Sequence, residues 1–209
     1  MDHFTLRKHT DNTILYEGRF GSLNQCLEAA VNDGTKLSHI NLRNQNLTNV
    51  NIDGASMPYA SFSGSNLSGA NLSEAVLSNA NFKNASLYNC CMSYSDLRGC
   101  DFLGANFGGT LIDGADLGNG TFSTLSCFDL DFVYCKNLNG SRFIEPDNRG
   151  FEMSGAPIVI KGLLNVPIIL FDETVKIGDR TLKRSAMPQL LKVLSAYTYQ
   201  QVQDNNKAA

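Results

Sequence analysis

Large apolar residues stand at every fifth position of this chain for about half of its length. The series runs from Leu37 to Phe132, and the only one of its twenty members that is not a large apolar residue is Cys127. A small residue, most often alanine, precedes most of these positions by two. A period of five fits neither a helix of 3.6 residues per turn nor a strand that alternates every two residues. The chain is therefore predicted to form a structural repeat, which offers a regular surface and no evident chemical pocket.

The repeated unit is similar to that of the pentapeptide-repeat family, Ala-(Asp/Asn)-Leu-X-X, and nearly verbatim copies occupy residues 70–74, 105–109 and 115–119. The resemblance covers roughly residues 35–143 and extends to short bacterial and bacteriophage members of the family. It implies an all-β solenoid, a right-handed four-sided (quadrilateral) β-helix of about five coils. With four five-residue sides to a coil, residues twenty positions apart stack on one another.

The apolar series itself offers a check on this geometry. Sorted with a period of twenty, one column of the series reads Leu42, Phe62, Phe82, Phe102 and Phe122. Stacked phenylalanine rings bury a large apolar area in every coil. The other three columns are mostly aliphatic, and the small residue two places earlier shares the interior. The pattern predicts a narrow, filled core without a channel.

The N-terminal segment, residues 1–34, is predicted to cap the first coil. Residues 13–16 have the composition of a strand, and Ser22 is a good N-cap for a helix that ends at Gly34. A β-helix leaves strand edges open at its ends, and these edges recruit other chains unless they are covered. We therefore interpret the strand and the helix as a structural cap.

The chain after the repeats is predicted to hold a linker and a small module. The register slips by one residue after Phe132, and the repeat domain extends over residues 35–143. Residues 144–155 are predicted as a linker, and residues 156–209 as a β-hairpin followed by a helix and a disordered polar tail. The apolar runs at residues 157–160 and 166–171 are predicted as the strands of the hairpin, with a third short strand at residues 175–177. The helix, from about residue 186 to 199, packs on the last coil or pairs two chains. Pairing into a homodimer is favoured, because the apolar stripe is wider than a narrow coil end covers; the stripe contains Leu190, Leu191, Leu194 and Tyr197.

Motifs and composition argue against several classes of function. No phosphate-binding loop, no Ser/His/Asp order and no metal-ligand spacing stands out, so we expect no catalysis, no cofactor and no metal. The cysteines fall mostly at inward positions of the repeat, and reduced thiols are typical of the cytoplasm. No apolar run approaches the length of a membrane span. The repeats also lack a basic stripe, so direct binding of nucleic acid is not expected.

An uneven surface leads to the first functional hypothesis, a scaffold that binds a protein. Residues 35–92 carry three basic and two acidic residues, whereas residues 93–134 carry one basic and six acidic residues. Aromatic residues also stand at outward positions of these later coils, and exposed aromatic residues beside acids favour a partner site. Two of them, Phe128 and Tyr134, alternatively lie beneath the C-terminal module. The predicted site contains Asp96, Asp101, Asp113, Asp116, Asp129, Asp131, Tyr88, Tyr94, Phe128 and Tyr134.

The second hypothesis is mimicry of DNA. Some pentapeptide-repeat proteins bind type II topoisomerases such as gyrase in this way and alter their sensitivity to quinolones, and the acidic column of Asp96 and Asp116 resembles theirs in kind. The charge density is lower than in DNA. About five coils at roughly 4.8 Å each span about 25 Å, and a duplex of that length carries about fifteen phosphates. The repeats at residues 35–143 carry eight acidic residues, partly offset by six basic ones, and no insertion supplies a projecting loop.

Overall fold

The repeats stack so that residues twenty positions apart lie one above another. Parallel bridges join Asn41 to Ser61 and continue at this spacing as far as the bridge from Asp96 to Asp116. Backbone hydrogen bonds run between the coils, as from Leu42 N–H to the Ser61 carbonyl at 2.9 Å. The stacking predicted from the apolar series is confirmed.

The structure is a computed structural model, and it describes residues 1–124, 129–144, 150–152, 158–160, 168–177, 180–186 and 188. The chain divides into two units, Met1–Ala156 and Pro157–Ala209. The first unit contains the repeats and the N-terminal segment, and the second contains a small antiparallel sheet.

Each five-residue unit ends in a tight turn. The carbonyl of the central apolar residue accepts a hydrogen bond from the N–H three residues later, as from Ile40 to Leu37 at 3.1 Å. The residue two places after the centre has a positive φ, as a type II turn requires. Glycine and asparagine tolerate this conformation and occupy most of the corners. The exceptions are His39, Tyr59, Glu74 and Tyr94.

Asparagine and glycine alternate along the corner columns. Wherever an asparagine occupies a positive-φ corner, the residue above it in the next coil is a glycine. The asparagine Oδ1 fills the space in which a Cβ atom of that upper residue would lie, so only glycine fits there. The pairs are Asn44–Gly64, Asn49–Gly69, Asn79–Gly99, Asn84–Gly104, Asn89–Gly109 and Asn119–Gly140.

The phenylalanine column forms a continuous stack in the core. Ring centroids lie 4.9 Å apart for Phe62 and Phe82, and 5.1 Å apart for both Phe82–Phe102 and Phe102–Phe122. Phe143 adds a fifth ring, 5.3 Å from Phe122. Phe143 lies 21 residues after Phe122, one more than the usual twenty, so it joins the column only because the predicted one-residue slip is present.

Beyond the slip, Asp116 pairs with Asn137, 21 positions later. The coil that contains the extra residue keeps its large apolar side chains buried, including Phe132 and Leu138. The slip therefore alters the outside of the last coil and leaves the core column continuous.

The small inward position accepts polar residues because the coil below satisfies them. The hydroxyl groups of Ser65, Thr110 and Ser141 each donate to a carbonyl of that coil. Burial raises the pKa of the Cys90 and Cys100 thiols, which fill the same kind of position. The cysteines in the described part of the chain form no disulfide.

The N-terminal segment is larger than its sequence predicts. Strand β1 (Asp2–Arg7) pairs antiparallel with β2 (Ile14–Phe20), and helix α1 spans Leu23–Asn32. The strand predicted at residues 13–16 is the beginning of β2. Strand β1 is not evident from the sequence, because its charged ends obscure the alternation of a short strand. The predicted N-cap is present, since Ser22 accepts a hydrogen bond from Gln25 N–H at 3.2 Å.

This segment supplies partners to the first coil. Asn41 N–H donates to the Arg7 carbonyl at 2.7 Å. In later coils, the equivalent N–H donates to a carbonyl of the preceding coil. Asn51 N–H donates to Glu28 Oε1 at 2.9 Å. Backbone groups at an open strand edge are thus satisfied by the hairpin and the helix.

Three parallel strands and one antiparallel strand mark the last coils. Strands β3 (Asp101–Phe102), β4 (Thr121–Ser123) and β5 (Arg142–Ile144) pair in parallel. Strand β6 (Gly150–Glu152) pairs antiparallel with β5. The segment predicted as a linker, residues 144–155, therefore contains a strand. This strand is not evident from the sequence, because the short run lies among glycine and polar residues and its partner is already part of the repeat.

The second unit is a four-stranded antiparallel meander. Its strands are β7 (Ile158–Ile160), β8 (Ile168–Leu170), β9 (Thr174–Ile177) and β10 (Arg180–Lys183), each paired with the next. Strands β7, β8 and β9 fall on the apolar runs predicted as strands, whereas β10 was not predicted, because it is mostly polar and lacks an apolar pattern. The dimerisation stripe predicted at Leu190, Leu191, Leu194 and Tyr197 lies outside the described residues. Among the described helices, none has the length and apolar character to cross a membrane.

Candidate functional site

One side of the later coils exposes five large apolar side chains. Each is between 52% and 70% exposed, although the core beneath them is filled. We call this surface the tyrosine face, and it consists of Tyr88, Tyr94, Leu111, Val133 and Tyr134. Exposed apolar side chains grouped on one side of a fold are typical of interaction sites.

The stacking of the coils brings these residues together. Leu111 precedes the buried Ile112 and Val133 follows the buried Phe132, so both side chains point outward on the same side. Tyr94 and Tyr134 end units of this side, and Gly114 between them donates its N–H to the Tyr134 carbonyl at 2.8 Å.

Tyr88 occupies the corner at the other margin of this side. Its ring covers Gly108 in the next coil, where a Cβ atom would lie 2.7 Å from Tyr88 Cδ2. Leu111 and Val133 are not among the site residues predicted from the sequence. Their signal was present, since both are apolar residues at outward positions next to a central residue.

Tyr94 has a backbone conformation that is unfavourable for a tyrosine residue. Its φ is +60°, in the left-handed region that glycine and asparagine favour. For other residues this region costs about 1–2 kcal/mol. The ring covers Gly114, where a Cβ atom would lie 2.5 Å from Tyr94 Cδ1. A strained residue whose side chain remains largely exposed gains little from packing, and such outliers cluster at functional sites.

The six predicted acidic residues are spread over different sides of the coils. Asp113 follows Ile112 and Asp131 precedes Phe132, so both belong to the side that carries the tyrosine face. Asp96 and Asp116 stack on the next side along the chain. Asp101 lies on a further side and begins β3. Asp129 is exposed near the tyrosine face, and Phe128 lies outside the described residues.

Cations already neutralise two of these acids. Arg98 donates from Nε to Asp96 Oδ1 at 2.8 Å and from Nη2 to Asp96 Oδ2 at 2.7 Å. These hydrogen bonds lower the pKa of Asp96 below its ordinary value. Lys83 Nζ lies 3.0 Å from Asp101 Oδ2. By contrast, the Asp113 carboxylate has no hydrogen bond or ion pair with any residue that the structure describes.

Several aspartates also stabilise a local turn of the backbone. The side-chain oxygens of Asp96, Asp101 and Asp116 each accept a hydrogen bond from the backbone N–H two residues later. Asparagine does the same at equivalent positions, as Asn66 does with Ser68 N–H at 3.1 Å. This local turn explains why the repeat uses either Asp or Asn at this position. An acidic residue there is therefore weak evidence for a binding site.

A shallow open groove of about 420 Å³ adjoins the tyrosine face. It lies between Tyr94 and the column of Asp96 and Asp116, and Arg98 and Lys136 also line it. Charges of both signs balance there. Within the described ranges, no group of acidic, histidine or cysteine side chains is arranged to hold a metal ion. The arrangement is suited to contact with another macromolecule, since the groove is too open to enclose a small substrate.

Comparison with protein families identifies the repeat. Residues 33–58, 59–93 and 90–123 match the model described as pentapeptide repeats, in eight copies. Repeats of this type imply a right-handed quadrilateral β-helix, in agreement with the stacking at intervals of twenty residues. No curated protein sequence matches the chain significantly.

Solved structures with similar repeats come from several sources. HetL, a pentapeptide repeat protein involved in heterocyst differentiation regulation in Nostoc sp. strain PCC 7120, is 25% identical over 40% of this chain and 39% of its own, with a TM-score of 0.39. Rfr23 from Cyanothece 51142 is 29% identical over 37% of this chain and 53% of its own, with a TM-score of 0.37.

QnrB1, a plasmid-mediated fluoroquinolone resistance protein, is 20% identical over 48% of this chain and 53% of its own, with a TM-score of 0.27. The chain thus spans about half of these proteins or less. With TM-scores this low, the structural similarity gives no information about a partner of this chain.

Proposed function

Because this chain belongs to the pentapeptide-repeat family, we propose that it is a non-catalytic scaffold that binds a protein partner through the tyrosine face. The observation that carries the proposal is the cluster of five exposed apolar side chains on one side of the later coils. Aromatic residues of this kind dominate the energetics of protein interfaces. The strained backbone of Tyr94 supports the same site, because the fold alone would favour glycine or asparagine there.

The proposed scaffold has about five coils with both ends covered. In this proposal the β1–β2 hairpin and α1 cap the first coil, and β6, which pairs with β5, caps the last. It uses no cofactor and acts in the cytoplasm, a compartment typical of unpaired cysteines such as those of the described residues. A homodimer through the helix predicted at residues 186–199 is part of the proposal.

The double variant Tyr94→Asn/Leu111→Asn tests the site with residues that the repeat itself uses. An asparagine in place of Tyr94 would form an asparagine–glycine corner with Gly114, and Leu111 shares its column with Asn51 and Asn71. We expect Tyr94→Asn alone to raise the free energy of unfolding by about 1 kcal/mol, since it relieves the backbone. We expect the double variant to lose at least about ten-fold in affinity for partners captured from host lysate. Chemical denaturation and pull-down with quantitative titration measure the two effects.

Tyr59→Asn is the matched control. Tyr59 has the same φ of +60°, but its ring stacks on His39 at 4.8 Å and the residue above it is Asn79. We expect this variant to keep partner binding and to gain no stability. If every captured protein binds the Tyr94→Asn/Leu111→Asn variant as tightly as the wild type, the tyrosine face is not the site.

The alternative is a DNA mimic that binds gyrase and inhibits it or protects it from quinolones. The stacked pair of Asp96 and Asp116 favours this reading, because it repeats negative charge at a fixed spacing along the coils. The ion pair of Asp96 with Arg98 weakens it. A supercoiling assay distinguishes the two functions. Inhibition or relief of quinolone poisoning that is lost in Asp96→Asn/Asp116→Asn, and kept in Tyr94→Asn/Leu111→Asn, would select the mimic.

A further inference from the structure

Three of the five residues of the tyrosine face, Leu111, Val133 and Tyr134, lie in a stretch of chain that has no basic residue. Between Arg98 and Lys136 the sequence contains five aspartates and no lysine, arginine or histidine. Two of these aspartates, Asp113 and Asp131, stand on the side that carries the exposed tyrosines. Both residues are exposed. The apolar surface is therefore combined with unbalanced negative charge.

Two of the other three aspartates in this stretch have side-chain partners. Asp101 pairs with Lys83 at 3.0 Å, and Asp116 Oδ1 accepts a hydrogen bond from Asn137 Nδ2 at 2.9 Å. The adjoining groove also contains two cations, Arg98 and Lys136. Among the described residues, Asp113 and Asp131 thus form no ion pair, whereas Asp96 and Asp101 on the neighbouring sides pair with Arg98 and Lys83.

We propose that the tyrosine face receives a basic segment of the partner protein, in which lysine or arginine side chains alternate with apolar ones; this inference rests on the proposed function. A cation over a tyrosine ring is attracted by the ring's π face, and the nearby carboxylates of Asp113 and Asp131 add a direct charge interaction. The aliphatic stems of lysine and arginine pack on apolar surface while their charged ends stay solvated. Leu111 and Val133 offer such a surface between the tyrosines.

Charge complementarity decides against other occupants. An acidic segment or a nucleic acid would meet Asp113 and Asp131 without compensating cations. A neutral apolar segment would leave both carboxylates at the margin of the contact and gain nothing from them. A basic segment with apolar residues is the occupant that interacts with both the carboxylates and the apolar side chains of the tyrosine face.

A selection from a random twelve-residue peptide library, displayed on phage and directed against the full chain, tests the proposal. We expect the enriched peptides to carry more lysine and arginine than the unselected library, next to apolar residues. Synthetic copies of these peptides are then titrated against Asp113→Asn/Asp131→Asn and against Asp96→Asn/Asp101→Asn. Both double variants remove two negative charges, and asparagine preserves the turn hydrogen bonds of Asp131, Asp96 and Asp101. We expect a loss of at least about ten-fold for the first variant and less than about two-fold for the second.

The outcomes separate this inference from the proposed function. Enriched peptides that are neutral or acidic, and that still lose affinity for Tyr94→Asn/Leu111→Asn, would overturn the basic partner and keep the face as the site. Peptides that bind all of these variants as they bind the wild type would overturn both. Enriched sequences that match residues 180–184 of this chain, which include Arg180, Lys183 and Arg184, would overturn a foreign partner in favour of a second copy.

Discussion

Phe102→Ala is expected to lower the free energy of unfolding by about 3–5 kcal/mol, as truncation of a buried phenylalanine usually does. Phe102 is 1% exposed and lies between the rings of Phe82 and Phe122, with both centroids 5.1 Å away. The cavity would open in the middle of the stack, where the neighbouring coils are held by their own hydrogen bonds and cannot collapse into it. Chemical denaturation measures the loss.

Phe62→Ala provides the comparison within the same column. Phe62 is equally buried but has one stacked ring, Phe82, at 4.9 Å. We expect it to cost less than Phe102→Ala by about 0.5–1.5 kcal/mol, the contribution of one aromatic pair. A cost below about 1 kcal/mol for Phe102→Ala would contradict the stacked core.

Gly104→Ala is expected to lower the free energy of unfolding by about 2 kcal/mol, the second largest effect we predict. Part of the cost is the left-handed backbone, since Gly104 has a φ of +70°. The rest arises because the new Cβ atom would displace the Asn84 side chain beneath it. Gly54→Ala separates the two contributions. Gly54 has a φ of +64° with open space around it, so we expect a cost of only about 1 kcal/mol.

A double-mutant cycle isolates the contact between Asn84 and Gly104. Asn84→Gly keeps the backbone conformation of the corner and removes the side chain that blocks a Cβ atom above it. In the Asn84→Gly background, we expect Gly104→Ala to cost about as much as Gly54→Ala, which gives a coupling energy of about 1 kcal/mol. Additive effects of the two substitutions would show that the corner pair is not in contact.

The repeat was predictable because each of its contacts is encoded at a fixed interval along the chain. The central apolar series determines the core column, and the slip after Phe132 is visible as a single displaced residue. The alternation of asparagine and glycine at the corners was equally visible and was missed. It becomes apparent only when residues are compared at intervals of twenty, since neighbouring corners show no simple order.

The elements at the ends were harder to predict. Strands β1, β6 and β10 are short, and each pairs with an edge whose position depends on the rest of the fold. Local composition carries little information about such pairing, because side-chain burial is decided by the partner strand.

The candidate site was predicted in part. Charge and aromatic content indicated the later coils, and Tyr94 and Asp113 stand together there. Charge alone could not distinguish a free aspartate from one engaged in a turn or an ion pair, as Asp96 is with Arg98. That distinction depends on which cation lies above or beside each acid once the coils stack.

The corner pairs restrict how a protein of this kind changes its length. Three of the four corner columns alternate asparagine with glycine, as in the run of Asn44, Gly64, Asn84 and Gly104. Removing or duplicating one coil of twenty residues would place asparagine over asparagine at some corners and glycine over glycine at others. A change of two coils, forty residues, would leave every pair intact. The packing unit of this solenoid is therefore twice its geometric coil, and lengthening or shortening is tolerated best in steps of two.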